Sequence, residues 1–119
     1  MEKQAVIKII NKLKIKTGQE ANIIPLLEKQ LQFVSKNEPH ILALEFGRLD
    51  ENTFIIFQTV AGNAGMRMHF STVSPDLAKE WATVTYSEEV IVLGQVDSDV
   101  LEVLKSFGKL VHYTLAMEL

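Results

Sequence analysis

Val6-Ile7-Lys8-Ile9-Ile10-Asn11-Lys12-Leu13-Lys14-Ile15-Lys16 alternates apolar and polar side chains with period two. Ile7, Ile9, Asn11, Leu13 and Ile15 share one face; Lys8, Lys12, Lys14 and Lys16 share the other, with Ile10 among them. Alternation of this kind marks a strand with one apolar face. Asn11 breaks that face. Burying an amide without partners costs roughly 1–3 kcal/mol, so Asn11 has to find hydrogen bonds inside. Either neighbouring backbone satisfies it, or it lines a polar spot in an otherwise apolar pocket. A cavity on the order of 300 Å³ beside it would decide for the pocket.

Outward from this strand, Lys16-Thr17-Gly18-Gln19-Glu20 forms a turn, and Thr17 with Glu20 has the spacing of a capping box. Ile23, Ile24, Leu27, Leu31 and Val34 fall on one helical stripe. Pro25 allows either a kinked helix from Gly18 or a shorter one with Asn22 as its N-cap. Asn37-Glu38-Pro39 ends that helix. Ile41 to Gly47 and Phe54 to Val60 read as strands joined by the polar turn Arg48-Leu49-Asp50-Glu51-Asn52-Thr53. A short helical stretch runs through Met66, His69 and Phe70. Ser74-Pro75 then opens an amphipathic helix carrying Leu77, Ala78, Trp81 and Ala82. Val90 to Val96 is a strand, and Asp97 caps a helical stripe of Val100, Leu101, Leu104 and Phe107 stopped by Gly108. Leu110 to Ala116 is a final strand. The order predicts one α+β domain over 1–119: a ferredoxin-like βαββαβ unit with an additional C-terminal helix and strand.

The 119 residues are 47% hydrophobic and 23% charged, enough apolar content for a real core in one domain. A formal charge of −3 with dispersed lysines disfavours nucleic acid as a partner. The chain has no cysteine, which excludes thiolate catalysis, disulfides and thiolate metal sites. No apolar run reaches the ~18 residues of a membrane span, and MEKQAVIKII lacks a leader's long apolar core. The expectation is a cytoplasmic protein that does not engage a membrane. His40, His69 and His112 stand far apart in sequence without short-spaced ligand pairs, so no metal site is expected. Asp97-Ser98-Asp99 fits a helix start better than a catalytic carboxylate pair. Phosphate-binding glycine loops and a serine nucleophile elbow are absent.

Leu13 to Glu20, Asn37-Glu38-Pro39-His40, Phe54 to Val60, and His69 at its spacing after that strand follow one another in a familiar order. The pattern, over roughly residues 6–83, resembles the antibiotic biosynthesis monooxygenase family of dimeric α/β-barrel proteins. The family's third strand often ends in a Glu and, two positions on, a Trp; Gln58 and Val60 stand there in this chain. The resemblance implies a homodimer and cofactor-independent oxygenation of a small quinol or anthrone-type aromatic. A deprotonated ring of that kind passes an electron to dioxygen without flavin or metal. Asn11 would then be the oxyanion donor and His69 the base. Phe57, Phe70 and Trp81 would wall the substrate and Arg67 would pair with an anionic part of it. Helix packing for Trp81, solvent for Arg67 and a half-buried surface position for His69 are the plainer readings of the same residues. The alternative function is a non-catalytic small-molecule-binding dimeric module of the same fold, which Gln58 and Val60 favour. A third is a structural dimerisation domain with no cavity. A haem-degrading relative would need a histidine on the later helix, and Asp76-Leu77-Ala78-Lys79-Glu80-Trp81 has none.

Overall fold

The computed structural model describes residues 5–119. Strand β1 (Ile7–Ile15) is followed by a 3-10 turn (Glu20–Asn22) and helix α1 (Ile23–Asn37). Strands β2 (Ile41–Arg48) and β3 (Thr53–Val60) form a hairpin, and helices α2 (Gly62–Thr72) and α3 (Pro75–Val84) follow. Strand β4 (Thr85–Leu93), helix α4 (Ser98–Lys105) and strand β5 (Lys109–Tyr113) complete the chain. The sheet order is β2-β3-β1-β4-β5. Its first four strands are antiparallel neighbours, and β5 lies parallel to β4 at the edge. This is the expected ferredoxin-like unit with a helix and strand added at one side.

Period two in β1 holds in three dimensions. Ile7, Ile9, Leu13 and Ile15 are buried against the helices, while Lys8 and Lys12 are exposed on the other face. Asn11 stands between two separate apolar clusters on the helix side. One gathers Ile7, Ile9, Val60, Met66, Val90, Val92, Val100 and Leu104 beneath α2 and α4. The other gathers Ile15, Ile23, Leu26, Leu27, Phe54 and Val84 beneath α1 and α3. The core is therefore divided, and the division falls at the amide.

Several boundaries differ from expectation. Helix α1 starts at Ile23, the shorter of the two alternatives, with Pro25 in its first turn where a missing N–H costs nothing. The Asn22 amide donates to Gln19 Oε1 at 2.7 Å rather than capping the helix. Thr17 and Glu20 make no capping box, because Gln19 occupies the N-cap position without a side-chain bond. Strand β4 begins at Thr85 rather than Val90, since α3 runs into it without a loop. It ends at Leu93, where Gly94 adopts φ 134° and a Cβ added there would stand 3.0 Å from the Val6 carbonyl oxygen. The last strand stops at Tyr113, whose carbonyl accepts from Gly94 N at 3.0 Å. No helix among the described residues is long and apolar enough to cross a membrane. The stretch read for a leader lies partly in residues 1–4, outside the described residues.

The added C-terminal unit is tied to α2. Arg67 donates to both carboxylates at the start of α4, to Asp97 Oδ2 at 2.6 Å and to Asp99 at 2.9 and 3.0 Å. Asn63 accepts from Asp97 N at 2.8 Å and donates to Gln95 O at 3.0 Å. Asp97 thus takes the N-cap position, but its side chain serves Arg67 instead of the helix N–H groups. Hydrogen bonding from Arg67, with its charge behind it, holds the Asp99 carboxyl below its ordinary range. A carboxyl depressed in the folded state stabilises above its ordinary value, and the benefit fades as pH falls through the lowered one. Melting temperatures of the parent and Arg67→Ala, measured from pH 7 down to pH 3, are therefore expected to converge in acid. Curves a constant distance apart would show that the stabilisation does not come from the Asp99 carboxylate charge.

Candidate active site

Where the two apolar clusters separate, a cavity of about 580 Å³ opens on the helix side of the sheet. Its floor is the sheet: Ile9, Asn11 and Leu13 of β1, Ile56 and Gln58 of β3, Ser87 and Val90 of β4. Its walls come from the helices and include Phe33, Met66, Phe70, Leu77 and Trp81, with Phe107 just beyond the end of α4. That size suits a drug-sized organic molecule, held mainly by apolar contact and oriented by a few polar groups.

Asn11 is the polar group of the floor. Its neighbours in register are Ile56 on β3 and Val90 on β4, which cannot bond an amide. Ser87 supplies the partner, its hydroxyl donating to Asn11 Oδ1 at 2.6 Å. A register shift between Lys12 and Leu13 opposite β4 carries Ser87 to this place. With Oδ1 engaged, the amide Nδ2 is the end left for a guest. Asn11 is thus a satisfied amide and a pocket residue at once.

The second polar centre gathers on Glu38, which the sequence did not single out as a site residue. Glu38, at the C-cap of α1, is 2% exposed, and three side chains meet at its Oε1. His69 Nδ1 lies at 2.5 Å, Thr72 Oγ1 at 3.2 Å and His40 Nε2 at 3.2 Å. Glu38 and His69 both line the cavity. His69, on α2, keeps a fifth of its side-chain surface open. Its Nδ1–H donates to the carboxylate, which leaves Nε2 without a hydrogen-bond partner among the described residues. A carboxylate that fixes the tautomer and orientation of an imidazole is the arrangement that turns histidine into an effective base. His40 is also buried, and its Nδ1 finds no partner. The expectation of three separated histidines is thus overturned for two of them: the chain brings His40 and His69 onto one carboxylate.

Phe70 and Trp81 both line the cavity. Phe70 packs beside the His69 ring, with centroids 6.0 Å apart. Trp81 belongs both to the α1–α3 core and to the cavity wall, and its Nε1–H donates to Gln30 Oε1 at 2.7 Å. Phe57 and Arg67 are not there. Phe57 alternates with the inward Ile56 and Gln58, so it points from the opposite face of the sheet, 41% exposed. Arg67 is spent on Asp97 and Asp99, away from the cavity lining. Gln58 lines the cavity, and Val60 is buried in the core.

No family model matches the sequence, and no curated protein matches it. Solved structures do match. MupZ from Pseudomonas fluorescens superposes with a TM-score of 0.76 at 13% identity, over 97% of this chain and 93% of that one. SnoaB, a cofactor-independent oxygenase from Streptomyces nogalater, gives 0.64 at 12% identity, over 79% of this chain and 96% of its own. A candidate antibiotic biosynthesis monooxygenase from Chloroflexus aurantiacus gives 0.56 at 16%, over 74% and 90%. The chain shares its fold with these proteins. MupZ matches almost the whole length, whereas the other two cover about three quarters of this chain.

Replacing Asn11 by Leu removes the amide from a largely apolar floor. Urea unfolding of Asn11→Leu is expected to give a stability within about 1 kcal/mol of the parent, or above it. A loss of 3 kcal/mol or more would make Asn11 a structural residue rather than one kept for a ligand.

Proposed function

We propose that this chain is an enzyme that oxygenates a small quinol or anthrone-type aromatic without a cofactor. The observation that supports it best is the convergence of Asn11 and a Glu38-held His69 on one apolar cavity. In this reading the ring lies between the sheet and the walls formed by Phe70 and Trp81. His69 Nε2 takes a proton from the activated carbon or hydroxyl, and Glu38 stabilises the imidazolium that results. Asn11 Nδ2 donates to the oxygen on which the negative charge collects. The electron-rich anion then reduces dioxygen, one oxygen atom staying on the ring carbon and the other leaving as water. Likeness to SnoaB supports the oxygen chemistry by analogy of fold.

The non-catalytic alternative drew its force from Gln58 and Val60. Glu38 weakens it, because it supplies from another element the carboxylate that β3 lacks. Binding without turnover is what that alternative requires.

We also propose that two copies pair through the outer face of the sheet. Ile10, Ile55, Phe57, Ile91 and Val111 lie on that face and are only partly covered. A second sheet would bury them, with the lysine heads of β1 at the rim.

Oxygen uptake with dithranol or a simple naphthoquinol is expected to run faster with protein than in buffer. His69→Ala is expected to lower the rate by about 10²–10⁴-fold, as for loss of a general base. Asn11→Ala is expected to cost about 10²–10³-fold, as for an oxyanion donor. Thermal stabilisation by these compounds with no added uptake would establish the binding module instead. For the assembly, sedimentation is expected to give a dimer that Phe57→Glu converts to a monomer; an unchanged mass would put the contact elsewhere.

A further inference from the structure

We infer that Glu38, His40 and His69 form a binding site for one divalent transition-metal ion of the zinc and cobalt class. The three ligand atoms lie within 4.8 Å of one another. Around an ion with bonds near 2.0–2.1 Å, ligands stand about 3.0–3.4 Å apart. His40 Nε2 is already 3.2 Å from Glu38 Oε1. His69 Nδ1, at 2.5 Å, has to open by less than about 1 Å. The partly open imidazole on α2 can make that movement, whereas the two buried ligands stay fixed.

The chemistry of the donors selects the ion. Two imidazole nitrogens with one carboxylate suit zinc, cobalt, nickel or iron and are poor ligands for magnesium or calcium. Charge points the same way. The described residues give Glu38 no lysine or arginine, only two imidazoles and the Thr72 hydroxyl. A dication would supply the charge that this buried carboxylate otherwise lacks. Thr72 would stay as the outer contact that orients the ligand oxygen. His40 adds a further sign. Its ring is 6% exposed, its Nδ1 is unpartnered, and its single hydrogen bond goes to an oxygen already served twice. Fold stability gives little reason to bury such a ring; ligation does. The cavity beside Glu38 and His69 offers an entry path and room for water in the remaining position.

An ion on His69 Nδ1 displaces the N–H···O bond that readies Nε2 as a base, so ion binding and proton abstraction are alternative uses of one pair. The two readings therefore fail separately, and the test is made on binding alone. Untagged full-length protein, stripped with chelator, is titrated with Co²⁺ by visible absorption and with Zn²⁺ by calorimetry. One equivalent per chain is expected, with cobalt d–d bands and a rise in melting temperature under Zn²⁺ that Mg²⁺ does not give. Glu38→Gln and His69→Ala are each expected to weaken binding tenfold or more. His112→Asn is expected to leave it unchanged, since that ring bonds the Gly94 carbonyl at 2.9 Å. Wild-type protein without stoichiometric binding or cobalt bands overturns the site, whatever the variants do. So does binding that survives in both ligand variants, or that depends on His112.

Discussion

An amide in the middle of the central strand sets the terms for everything around it. Asn11 cannot join either apolar cluster without losing a hydrogen bond, and its register partners Ile56 and Val90 offer none. The helices therefore pack as two pairs, α2 with α4 over one end of the sheet and α1 with α3 over the other. Close packing is the rule in protein interiors because voids forfeit dispersion contacts. The cavity of about 580 Å³ leaves its apolar lining short of such contacts, and a ligand that fills it would supply them. Ser87 makes the gap tolerable by engaging one end of the amide, and only one.

The same gap makes Glu38 useful. A carboxylate at the end of α1 would ordinarily face water; here α2 covers it, and three donors replace its solvent. Exclusion of water strengthens the Glu38–His69 contact, because a lower local dielectric screens it less. Holding that contact demands that α2 stay in place relative to α1 and β2. Helix α2 starts poorly, with glycines at 62 and 65 and no side-chain cap. Its anchorage comes from elsewhere: Met66 in the core, and Arg67 and Asn63 on the start of α4. The C-terminal helix and strand thus act on the site through the helix that carries His69.

Local pattern revealed the elements and Asn11, and the resemblance named His69, but the carboxylate that holds His69 was missed, and chain geometry explains the difference. The alternation of β1 exposes Asn11 at once, because a single polar residue on an apolar face has no other local explanation. Glu38 hides in Asn37-Glu38-Pro39-His40, where any polar residue reads as a helix stop. Its burial depends on α2 arriving 31 residues later, which no periodicity encodes. Phe57 was misplaced for a related reason. Phe54-Ile55-Ile56-Phe57 is apolar on both faces, so parity has to be taken from Gln58 and Val60 or from the pairing with β1. Continuous apolar character itself reports two coverable faces, and that signal was present. Asp97-Ser98-Asp99 was correctly read as a helix start, but Arg67 on another helix could not be foreseen as the group that takes both carboxylates.

His69 is the point at which these constraints meet. An imidazole bonded to solvent through both nitrogens has no preferred role. Here Glu38 engages Nδ1, and His69 and Asn11 both line one largely apolar cavity. In the proposed mechanism, a proton acceptor and a hydrogen-bond donor on one cavity are what form and hold the anion. Neither contributes alone: the base without the donor generates charge that nothing stabilises, and the donor without the base meets only neutral molecules. Under that proposal their common origin is the division of the core at Asn11, which would supply the donor directly and leaves, between the helix pairs, the cavity that His69 also lines.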